Sequence, residues 1–127
     1  MDNREFAAAF EACTLAPFHH ADHVRLAWIY LREAPLLDAL HRFVTGLQRY
    51  AASRGASGLY HETITWAFLF LIHERMQRSS ASDFAEFAEA NPDLLRWKPS
   101  VLDRYYRAET LQSDLARRTF VLPDLGA

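Results

Sequence analysis

An all-α fold is what this sequence predicts, on two observations. Only four glycines and five prolines punctuate 127 residues, and between them apolar side chains recur at the three-to-four-residue spacing of a buried helix face. Half of the residues are hydrophobic and 13% are aromatic, enough to close a sizeable core. The length suits one domain, so the expectation is a single helical domain over residues 1–127, a bundle of about five to seven helices.

The first helix is predicted over about Asn3 to Cys13, with Phe6, Ala9, Phe10 and Cys13 on one face, and "TLAPF" ends it. A second covers about His20 to Glu33 with Val24, Ala27, Trp28 and Leu31 as its apolar stripe. Pro35 suits the first turn of a third helix, where a missing amide costs nothing. That helix runs to about Ser53 and "RGASG" stops it. The fourth, about Tyr60 to Gln77, is apolar nearly all round between residues 64 and 72, which marks it as central. After "RSSAS" a short helix opens at Ser82 or Asp83, with Asp83 and Glu86 at capping-box spacing, and "NPD" ends it. Residues from Val101 to Phe120 read as one or two further helices, followed by the tail "VLPDLGA".

Charge and cysteine content exclude several classes of function. Fourteen Lys+Arg against sixteen Asp+Glu give a net charge of −2, so there is no electrostatic footprint for nucleic acid. One cysteine, Cys13, excludes an intramolecular disulfide and a zinc knuckle. The start "MDNREF" lacks a signal-peptide pattern, and the apolar run "WAFLFLI" is far shorter than the roughly 18 to 20 residues of a membrane span. A cytoplasmic, soluble protein without a membrane partner is expected. The apolar surplus is compatible with a homodimer, although no heptad repeat supports a coiled coil.

Candidate chemistry gathers at two helix starts. "PFHHADHVRLAW" holds three of the six histidines. At about 100° per residue, His20 and His23 both border the buried stripe, and their i,i+3 spacing lets two imidazoles converge. The positive end of the helix dipole favours neutral rings, the form that binds a metal or accepts a proton. At "YHETITW", His61 shares a face with Thr65, and Glu62 follows it directly. Thr65 stands where a zinc peptidase helix needs its second histidine, so that motif is absent. His20, His23 and His61 could instead supply three ligands to a divalent metal, zinc or iron foremost, with Glu62 beside an open position. Tyr60 and Thr65 complete the candidate catalytic group. His73 lies about 16 Å along the helix from Glu62 at about 1.5 Å per residue and belongs to no shared site. His41 and His73 are read as structural.

The stretch "WKPSVLDRYYRAETLQSDLARRTF" interleaves cations with aromatic rings. Asp103 with Arg107 and Asp114 with Arg118 have i,i+4 spacing and support helices. Arg104, Tyr105 and Arg117 are the candidates for holding an anionic substrate, since arginine matches carboxylate geometry. No phosphate loop, nucleophile elbow or Glu-x-x-His di-iron pair is present.

Together "FHHADHVRLAWIYL", "YHETITWAFLFLIHERM" and "LDRYYRAETLQSDLARRTFVLPD" resemble segments of an uncharacterised family of small bacterial helical proteins. The resemblance implies no activity, substrate or cofactor. The residues alone point to a small metal-dependent hydrolase, lyase or oxidoreductase acting on a small anionic molecule through a buried three-histidine site. The alternatives are a non-enzymatic module binding a small molecule or haem, and a metal-free acid–base enzyme pairing His61 with Glu62 or His23.

Overall fold

Capping side chains set where the helices begin in the computed structural model, which describes residues 1–125. The first amides of a helix lack partners within it, so a nearby acceptor fixes the start. Helix α1 (Asn3–Glu11) opens on a reciprocal pair, with the Glu5 N–H donating to Asp2 Oδ1 at 2.8 Å and the Asp2 N–H donating to Glu5 Oε1 at 3.3 Å. In α2 (His20–Glu33) the Asp22 carboxylate accepts the His19 N–H at 2.9 Å. Helix α3 (Leu36–Ser53) starts one residue after Pro35, which sits just outside the first turn, and Gly55, with a φ of 66°, supplies the left-handed residue beyond its end.

These helices form the first of two compact units, Met1–Tyr60. Each of the three packs on the other two. Helix α1 ends two residues earlier than its apolar spacing predicts because Cys13 turns into the left-handed region, with φ 60°. Residues 26–30 of α2 are all buried, so Leu26, Ile29 and Tyr30 join the expected stripe, while Leu31 stays partly exposed. Arg25 ties α2 to the start of α1 by bonds to Asn3 Oδ1 and the Met1 carbonyl, with its guanidinium 4.3 Å from the centroid of the Phe6 ring. Phe10, Phe18 and Tyr50 form an aromatic cluster with centroid separations of 4.8 to 5.6 Å. Gly46 makes the approach of α1 to α3 possible. A Cβ at that position would lie 2.6 Å from Phe10 Cε2.

The second unit, His61–Ala127, is built on α4 (Glu62–Gln77). It continues through α5 (Phe84–Ala90), capped by Asp83, and α6 (Pro92–Leu95), where Pro92 occupies the first turn. A 3-10 turn at Val101–Arg104, α7 (Ala108–Leu111) and α8 (Asp114–Arg118) follow. Helix α4 packs on α8 and on the 3-10 turn. Thr63, fully buried, donates to the Thr119 carbonyl at 2.8 Å and accepts the Val121 N–H at 3.0 Å, fastening the segment after α8 to α4. Phe120 stacks on Trp66 beside that joint.

The described residues contain eight α-helices and no strand, and five of the helices have seven or more residues. The all-α class therefore stands, with more helices than expected. The added ones come from the C-terminal third, where Pro92 starts a new turn and Ser113 Oγ accepts the Ala116 N–H at 3.1 Å to start α8. One expected ion pair forms there, Arg118 with Asp114 at 3.2 Å. Asp103 and Arg107 do not pair, because the 3-10 turn ends between them. No helix among the described residues is long and apolar enough to cross a membrane.

Candidate functional site

The residues singled out from the sequence fall in both units. His20 opens α2 and is partly exposed. His23, one turn on, points its Nδ1 at the His19 carbonyl oxygen, 2.9 Å away, and stacks on Phe18 at 4.1 Å. A carbonyl only accepts, so Nδ1 carries a proton, which in the neutral ring leaves the lone pair on Nε2. Burial outweighs this bond and pushes the imidazole below its ordinary pKa.

His61 has a different role. It is the buried N-cap of α4, where Nδ1 accepts the Ile64 N–H at 3.1 Å and Nε2 donates to the Leu111 carbonyl at 2.7 Å. Both ring nitrogens are engaged, and the two partners define a neutral imidazole with the proton on Nε2. Ligation of a metal at either nitrogen would break the cap or the Leu111 bond. Glu62 Oε1 accepts the Trp66 indole N–H at 3.1 Å, Thr65 is half-buried one turn along α4, and Tyr60 follows the 3-10 turn Ser57–Leu59. Among the described residues no group of three or more His, Cys, Asp or Glu side chains is arranged to hold a metal ion.

The candidate anion-binding residues are spread along the second unit. Arg104 bonds Asp93 at 3.2 Å, in a cluster where Arg75 grips both carboxylate oxygens of Asp93 and also reaches Asn91. The Arg75 hydrogen bonds hold Asp93 down to about 2. The carbonyl of Tyr105 accepts the Asp124 and Leu125 N–H groups, and Arg117 is exposed on α8.

A concave site lies elsewhere, in the first unit. Glu11, Tyr30, His41, Arg42, Thr45, Gly46 and Arg49 line an open cleft of about 240 Å³. Five of the seven come from α3. Part of this lining forms a polar cluster in which the Tyr30 hydroxyl donates to Glu11 Oε2 at 2.6 Å. Arg42 reaches the same oxygen at 3.5 Å, bonds Glu33 at 3.0 Å, and lies 4.2 Å from the centroid of the Tyr30 ring. Burial, with the Glu11 bond added, pushes the Tyr30 phenol well above its ordinary pKa, so it remains a donor. Gly46 is buried in this lining, with its Cα hydrogen side against the Phe10 ring.

His41, Thr45 and Arg49 stand apart from this cluster. They are spaced i, i+4 and i+8 along one line of α3, all are exposed, and among the described residues their side chains have no hydrogen-bond or ion-pair partner. The cleft thus offers three polar groups toward solvent beside a satisfied cluster.

Sequence reasoning passed over this cleft and read His41 as structural. The signal was the polar line His41, Thr45 and Arg49, flanked by Arg42 and the mid-helix Gly46. No protein-family model, curated protein or solved structure matches this chain.

Proposed function

We infer that the protein is a non-enzymatic module that binds a small molecule, and that the binding site is the α1–α2–α3 cleft of the first unit. The observation that carries this reading is the line of three unpartnered polar side chains, His41, Thr45 and Arg49, along a cleft whose other charged groups already satisfy one another. Pockets for small ligands combine a preformed wall with a few polar groups, and the cleft has a helical wall with three polar side chains along it. The volume, about 240 Å³, is about eight times the roughly 30 Å³ share of a water molecule, room for a single-ring metabolite. A metal-dependent enzyme centred on His20, His23 and His61 would need His61 to surrender one of its two hydrogen bonds, whereas binding in the cleft breaks none.

Amide chemical-shift mapping of the full chain against a panel of small polar compounds tests the reading. Saturable shifts confined to residues 41–49 of α3 and to Glu11 and Tyr30 are expected. A panel that moves none of these amides, while elemental analysis finds about one metal per chain that is lost in His61→Ala, would replace it with the metal-dependent reading.

A further inference from the structure

We propose that the ligand of the cleft is a small organic anion whose carboxylate or phosphate is held by Arg49 and Thr45. This assignment rests on the binding reading above. Its basis is the distribution of charge among the lining residues. The Arg42 guanidinium is met by Glu33 and Glu11, and Glu11 is met in turn by the Tyr30 hydroxyl. Arg49 is the cation of the lining left without a carboxylate among the described residues. It projects from α3 seven residues beyond Arg42, about 10 Å along the axis at about 1.5 Å per residue. The satisfied cluster therefore sits toward one end of α3 in the cleft and the unanswered positive charge toward the other.

A guanidinium presents paired N–H donors that match the two oxygens of a carboxylate or phosphate, and such bonds are the strong ones. The Thr45 hydroxyl, one turn before Arg49 on the same line, adds a donor to the same group. His41, a further turn back, adds a hydrogen bond for the body of the ligand. A cationic guest would face Arg49 with no free carboxylate to compensate, since Glu11 is already shared by two donors. The cleft, about 240 Å³, leaves room for a flat ring between the ends.

Benzoate, benzamide and benzamidine have nearly the same shape and differ in charge, so titrating each into the isotope-labelled full chain isolates the electrostatic contribution. Phenyl phosphate and inorganic phosphate, run alongside, distinguish a carboxylate from a phosphate preference and an organic anion from a bare one. Benzoate or phenyl phosphate should bind at least about tenfold more tightly than benzamide, with the largest shifts at Thr45 and Arg49. Arg49→Gln should weaken that binding about tenfold or more, Arg49→Lys should recover part of it, and Arg96→Gln, an exposed arginine of the second unit, should leave it unchanged. Benzamide or benzamidine binding at the cleft as tightly as benzoate would overturn the anion assignment and leave the binding reading standing. Inorganic phosphate binding as tightly as phenyl phosphate would overturn the organic part. Shifts in the cleft from none of the five compounds would overturn the assignment, and the wider compound panel then decides the fate of the binding reading separately.

Discussion

The imidazole of His61 joins the start of α4 to the carbonyl of Leu111, fifty positions away, through a bond of 2.7 Å, while its other nitrogen caps the Ile64 amide. One side chain therefore closes a helix end and a tertiary contact together. Replacing it by alanine removes an N-cap, worth about 0.5–2 kcal/mol, and strands a carbonyl acceptor. His61→Ala should destabilise the protein by about 1–3 kcal/mol in urea titration, by the same amount with or without chelator. His61→Asn, which restores the cap without reaching Leu111, should recover about half of the loss. A loss that appears only when metal is present would identify His61 as a ligand.

His23 makes stability depend on pH. Its folded pKa lies below the unfolded value, mainly because burial disfavours the imidazolium. Above an unfolded pKa of about 6.5 both states hold the neutral ring and no dependence arises. Below it the unfolded chain takes up a proton that the folded chain refuses, so stability falls as pH drops from the unfolded pKa toward the folded one. His23→Phe, stacked on Phe18, should flatten that part of the curve. Thermal midpoints of both proteins between pH 7.5 and 5 check it, and parallel curves would contradict it.

The helical periods were legible because they follow from local rules. The α2 bounds, the Asp83 start of α5 and the glycine stop after α3 all match the structure. Capping chemistry at the α4 start was visible as residue types but ambiguous in role: a histidine before Glu62 reads equally as a ligand or as a cap until Leu111, far along the chain, is placed against it. The cleft was illegible for a related reason. His41, Thr45 and Arg49 look like an ordinary solvated face, and they differ from one only because Glu11, Tyr30 and Glu33, from two other helices, satisfy Arg42 and leave Arg49 without a carboxylate among the described residues.

Asp93 organises the second unit. Arg75 binds both of its oxygens, at 3.0 and 2.8 Å, and Arg104 adds a third bond. Asp93→Asn should cost about 1–2 kcal/mol, reduced from the cost of a fully buried pair because Arg104 is exposed. The folded carboxyl lies at about 2 against 3.8 for the free group, so its contribution is complete above pH 3.8 and is lost as pH falls toward 2. Acid unfolding monitored by circular dichroism should therefore occur at higher pH in the variant if the α4–α6 junction depends on this pair.

Gly46 lies in the interior of α3, where alanine would normally add about 0.5–1 kcal/mol of helix stability. Here a methyl would press on the Phe10 ring at 2.6 Å, and that ring is 1% exposed, held between Phe18 and Tyr50. Overpacking costs about 1–3 kcal/mol, so the clash exceeds the propensity gain and Gly46→Ala should be net destabilising by about 1 kcal/mol. The sign depends on Phe10. In a Phe10→Leu background, where the ring is gone, the same substitution should become neutral or stabilising, and a double-mutant cycle in urea should show coupling of about 1 kcal/mol or more. Additive losses would mean that the α1–α3 approach relaxes without strain. In the expected case the close contact between these helices is rigid, and the packing of Gly46 on the Phe10 ring fixes the separation of α1 and α3.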